Sequence, residues 1–112
     1  MTHNEIMAML AESQIPVAYD HYAEGESPDP PFLCFRYPAT DHFSADGRAY
    51  YLIAQVDVEV YTDRKDPELE KRIEDVFDAH DIFYEKSEVW IESEKLYEVL
   101  YTFETGGNLI AE

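Results

Sequence analysis

Basic side chains are scarce in this chain: 8 Lys and Arg stand against 25 Asp and Glu, a formal net charge of −17 over 112 residues. A surface this negative repels phosphates and excludes nucleic-acid binding through a basic groove. Cysteine is nearly absent. With Cys34 alone, no intramolecular disulfide can form, and its place in an apolar run predicts a small buried hydrophobe. The 4 glycines are dispersed or terminal, so there is no Gly-rich phosphate loop. No apolar run is long enough to cross a bilayer, and the N-terminus shows no basic region followed by an apolar stretch. The expectation is a soluble, intracellular protein.

What is present argues for a folded domain. Such a charge alone would suit a disordered chain. Yet 46% of the residues are apolar, with 9 Tyr and 6 Phe, and they fall in strand and helix periods. The acids are not confined to a tail: residues 1–48 hold eight acids and two bases, residues 49–112 seventeen and six. The length fits one small domain. Self-repulsion of this charge would have to be offset by assembly or bound cations.

Thr2 and Glu5 form a capping box for a first helix with Ile6, Met9 and Leu10 as its apolar stripe, stopped by Pro16. Val17–Tyr22 and Phe32–Tyr37 read as strands around a breaker-rich loop at 24–31. Ala39–Arg48 reads as a polar loop with a turn at Asp46-Gly47. Tyr50–Tyr61 is the clearest strand: Leu52, Ala54, Val56, Val58 and Val60 share one face, Gln55, Asp57 and Glu59 the other. Asp66 and Pro67 open a second helix as N-cap and first helical residue, with Leu69, Ile73, Val76 and Phe77 as its stripe. Strands follow at about Phe83–Ile91 and Lys95–Phe103, the latter with Tyr97, Val99, Tyr101 and Phe103 on one face.

The predicted architecture is α+β, order α-β-β-β-α-β-β. A mostly antiparallel sheet of about five strands carries both helices on one face. Residues 1–105 form the single domain and 106–112 a short C-terminal tail. The helix-free face, with Tyr51, Ile53, Gln55, Asp57, Glu59 and Tyr61, suits a protein interface.

The chemistry-bearing residues form no catalytic pattern. His3, His21, His42 and His80 are scattered, without the clustered donors zinc requires. Asp63, Asp66 and Glu68 lack calcium-loop spacing. The serines lack a nucleophile-elbow context, and no carboxylate pair is singled out. Aromatic base stacking would need a basic groove, whereas these aromatics alternate with acids. Trp90, between Glu88 and Glu92, reads as a packing residue or an interface anchor. No enzyme, cofactor or metal site is expected.

Several strings resemble a known family: Pro16–Tyr19, Ala23–Pro28, Asp41–Gly47, Val58–Pro67, Tyr84–Lys86 and Trp90–Glu94. They are similar to small proteins encoded among the structural genes of siphophages and prophages of Gram-positive bacteria, the tail terminator (tail completion, tail-to-head joining) proteins. The resemblance implies two helices against a mostly antiparallel sheet. It also implies a homohexameric ring in the virion neck, assembled in the host cytoplasm, that caps the tail tube and docks to the head connector. No catalytic residue belongs to that role, and DNA passes through such a ring without specific binding. Asp41, Asp46, Asp63 and Asp66 are then candidates for the lumen or rim, and Phe43, Tyr51, Ile53 and Trp90 for interfaces. A different class competes: an acidic DNA mimic that inhibits a host DNA-binding protein.

Overall fold

The computed structural model describes residues 1–23, 25–45 and 48–106, and for residues 40–52 the backbone alone. Thr2 caps α1 (His3–Ala11): its Oγ1 accepts the Glu5 N–H at 3.1 Å, and Glu5 Oε1 accepts the Thr2 N–H at 2.9 Å. Hydrogen bonding to Thr2 holds the Glu5 carboxyl below its usual range. Ile6, Met9 and Leu10 are buried.

Asp66 caps α2 (Pro67–Ala79), its Oδ1 accepting the Leu69 N–H at 3.2 Å. The far end closes in a Schellman motif. The Ile82 N–H donates to the Phe77 carbonyl and the Asp81 N–H to Asp78, with Asp81 at φ 56° where glycine is usual.

The strands are β1 (Val17–Tyr19), β2 (Phe32–Arg36), β3 (Thr40–Ala45), β4 (Arg48–Thr62), β5 (Glu85–Ile91) and β6 (Leu96–Gly106). They lie in the order β1-β2-β4-β6-β5, with β3 paired to β4 off this path. All pairs are antiparallel except β1–β2, where Val17 faces Leu33 and Tyr19 faces Phe35. The long connection at 20–31 permits that parallel crossover. β1 ends at Tyr19, short of the expected Tyr22, because Asp20 adopts φ 67° and turns the chain.

The fold class is the one expected: α+β, two helices on one face of a mostly antiparallel sheet. Both helical stripes share a single core with Leu33, Phe35, Val56, Val58, Val60, Val99, Tyr101 and Phe103. Ala54 is buried as well.

Three further details differ from the sequence reading. The segment expected as a polar loop is a strand, β3, which forms a hairpin with β4 from Thr40↔Ala54 to Ala45↔Arg48. Polar side chains do not forbid a strand when a longer neighbour offers an open edge for its backbone groups. The Asp46-Gly47 turn lies outside the described residues. β6 continues past Phe103, pairing Gly106, the first residue of the expected tail, with Ile53. β5 begins at Glu85, two residues later than expected.

Two stability effects follow. Val58→Asp should lose about 3 kcal/mol or more by burying an unpaired charge, and wild-type denaturant stability would refute the packing. Asp81→Gly should gain about 1 kcal/mol by relieving the left-handed residue, read as a higher denaturation midpoint.

Candidate functional site on the helix-free face of the sheet

Strand alternation sends Asp57 and Glu59 of β4 to the face opposite the helices, yet they are only 7% and 8% exposed. Neighbouring strands cover them. Asp57 Oδ1 accepts from Gln55 Nε2 at 3.1 Å and from Thr102 Oγ1 at 3.0 Å. Glu59 accepts the Tyr61 hydroxyl at 2.5 Å and lies 3.1 Å from Arg36 Nε. Burial and then the hydrogen bond to Glu59 push the Tyr61 phenol far up, so it remains a donor.

Glu98 stands opposite Tyr61 on β6. Burial raises its carboxyl above the ordinary range. The Glu59 charge and a hydrogen bond with Glu59 add to this, with Asp57 a smaller contributor, and Arg36 only partly opposes it. One guanidinium thus serves Glu59 and Glu98, with Asp57 held by neutral donors, a ridge that would repel phosphate rather than bind it.

Beside the ridge runs an aromatic ladder, with Tyr22–Phe32 and Phe32–Tyr61 ring centroids 5.6 and 5.2 Å apart. It walls a hollow of about 210 Å³ lined also by Asp20, His21, Ser27, Cys34, Glu94 and Leu96. Cys34 is buried there, opposite Glu59. Burial first, then the Glu59 carboxylate, pushes its thiol up, which makes it a poor nucleophile. Among the described residues, no three His, Cys, Asp or Glu side chains group as metal ligands. His3 Nδ1 is 2.7 Å from the Tyr37 hydroxyl, His21 pairs with Asp20 and His80 with Glu12. The side chain of His42 lies outside the described residues.

The sequence candidates do not converge on one spot. Asp41 and Phe43 on β3 and Tyr51 on β4 belong to the hairpin, where only the backbone is described. Asp46 lies outside the described residues. Ile53 follows on β4, half-buried on the helix-free side. Asp63 is exposed and Asp66 caps α2, both just beyond the other end of β4. At about 3.3 Å per residue, that strand sets Asp41, paired with Ile53, roughly 33 Å from Asp63. Asp41 and Asp63 therefore lie well apart along the sheet and do not share one rim. Trp90 lies on the helix side of the sheet, against Tyr97 at 4.7 Å, with Nε1 donating to Glu92 at 2.6 Å.

Sequence reasoning missed the best-paired carboxylate. Glu70 is 6% exposed and receives Lys65 and Lys86, each at 2.7 Å. Burial alone would raise its carboxyl, but hydrogen bonds from the two lysines outweigh that and hold it low. Lys86 also reaches Glu74 at 2.8 Å, and Lys65 bonds Glu88. No spacing announces this cluster, because only strand order brings β5 beside α2.

The two carboxyls give stability opposite pH signs. Glu70, held low, contributes above the unfolded carboxyl value and loses that contribution as pH falls through its folded value. Glu98, held high, costs stability as pH rises through the unfolded value toward the folded one, and the loss persists above. Glu98→Gln should therefore raise the melting temperature near pH 7 and leave it unchanged below about pH 4, where the native carboxyl is protonated in both states. An equal effect at both pH values would contradict the assignment. Asp66→Ala should cost about 1 kcal/mol and Asp66→Asn little, if capping is its role. No protein-family model matches the chain, and no curated protein matches it.

Proposed function

We propose that the chain is a structural subunit of a homo-oligomeric ring, hexameric by its resemblance, that terminates a siphophage-type tail tube and joins it to the head connector. One observation carries the reading: a folded domain of net charge −17 keeps carboxylates even on the buried part of its helix-free sheet face. Two features support it. The fold is the one the resemblance implies, and among the described residues no helix is long and apolar enough to cross a membrane. DNA in transit slides past a wall that offers no counter-charge. In this reading the β3–β4 hairpin and the segment between β4 and α2 meet the tail tube and the connector, the virion neck is the site of action, and no cofactor or catalysis is involved.

Assembly tests it. Subunits of this charge repel, and salt screens the repulsion, with a Debye length of about 10 Å at 0.1 M and about 3 Å at 1 M. Ring formation should strengthen with ionic strength, giving a six-chain mass by light scattering at high salt. Particles that stop at one or two chains at high salt, even with tail-tube and connector proteins present, would refute the ring. Stoichiometric binding to a basic DNA-binding protein at low salt, lost at high salt, would establish the DNA mimic instead.

A further inference from the structure

β5 ends the sheet on one side: among the described residues its sheet neighbour is β6 alone, and all but Ile91 of its residues are exposed. Its outer edge presents a row of N–H and C=O groups open to another strand. Proteins blunt such edges with proline, a bulge or outward lysines. β5 has no proline, and its register with β6 is unbroken from Glu85↔Thr102 to Ile91↔Leu96. Its one lysine, Lys86, is tied inward to Glu70 and Glu74, over the Tyr101 ring. Just before β5, Phe83 is 89% exposed, and within the strand Val89 and Trp90 are 53% and 41% exposed. This edge mixes charges with apolar side chains that stand open to solvent.

We propose that β5 pairs antiparallel with β5 of a second copy about a two-fold axis at Ser87, joining the two sheets into one. Such an axis stands perpendicular to the sheet and keeps each side chain on its own face. Symmetric pairing must therefore be centred on a residue. With the axis at Ser87, Lys86 lies opposite the second copy's Glu88, and Glu88 opposite its Lys86. On that same face Tyr84 meets Trp90. On the other face Phe83 meets Ile91, Glu85 meets Val89 and the two Ser87 side chains meet. Opposite charges and aromatic pairs across strands stabilise, and like charges oppose.

The neighbouring registers fail on this rule. Centring on Glu85, Lys86 or Glu88 sets like charges face to face. Centring on Val89 sets Trp90 against Glu88 and leaves Phe83 opposite Lys95, where the chain turns at φ 56°. The Ser87 register is the one in which none of the three charged residues, Glu85, Lys86 and Glu88, faces a like charge while Phe83 and Trp90 both meet apolar or aromatic partners; only Val89 is set against a charge, Glu85. The contact is isologous and closes at two copies. It leaves the helix-free face and the β3–β4 hairpin free for other partners, and it stands whether or not the chain works in a tail ring.

Engineered cysteines read the register directly, since the native Cys34 is buried. Under mild oxidation Ser87→Cys should give a covalent dimer. Glu85→Cys and Val89→Cys should each fail alone, because their twins lie about 13 Å apart along the strands, beyond disulfide reach. Mixed together, those two variants should cross-link. Phe83→Asp, at a site almost fully exposed in the free chain, should keep the fold and weaken dimerisation about tenfold. A native chain that stays monomeric up to about 1 mM, or cysteines at 85, 87 and 89 that cross-link equally well alone, would overturn the proposal.

Discussion

β4 must bury one face beneath two helices while its alternate residues stand on a face that no helix covers. Val56, Val58 and Val60 go into the core, so Asp57 and Glu59 are forced to the other side by the same pleat. Pairing with β2, β3 and β6 makes β4 the strand through which the sheet is connected, and it prevents those carboxylates from reaching open water. Their desolvation is met by donors from the same face: Gln55, Thr102, Tyr61 and Arg36. Glu98 is half-buried beside them, and this burial together with the Glu59 charge, only partly opposed by Arg36, makes its carboxyl hold its proton to higher pH.

The few cations are placed unevenly. Lys65 and Lys86 converge on buried Glu70, and Arg72 Nε reaches the Ser13 carbonyl at 2.8 Å, tying α2 to the end of α1. These contacts sit where removing one partner would strand a buried polar group. The pairs Lys71–Asp75 and Lys95–Glu92 are exposed and contribute little. Most of the acidic excess is thus left uncompensated within the subunit. Association of this chain is governed by screening and by local complementarity, not by net attraction.

Three surfaces follow from the topology. The helix-free face is acidic and hydrogen-bonded within itself, suited to repelling phosphate. The β3–β4 hairpin, with Asp41, and the segment after β4, with Asp63, are too far apart to line one rim. The β5 edge is the place where cation, anion and aromatic residues alternate over a short strand, and it is the surface best formed for self-recognition.

Alternation and capping chemistry are local properties, and the sequence alone determined them. Thr2 with Glu5, Asp66 with Pro67, the stripe Leu69-Ile73-Val76-Phe77 and the two faces of β4 were all legible because each depends on neighbours within a few residues. Two limits were equally physical. β3 was read as a loop because its strand character comes from the open edge of β4, not from its own polar side chains. Glu70's pairing was hidden because its partner Lys86 comes from a distant strand. The candidates Asp41, Asp63 and Asp66 looked alike in sequence, but pairing with Ile53 set Asp41 well away along the sheet from Asp63, and Asp66 became the cap of α2. Only tertiary structure decides such questions, since burial, strand order and the pairing of charges depend on which segments meet.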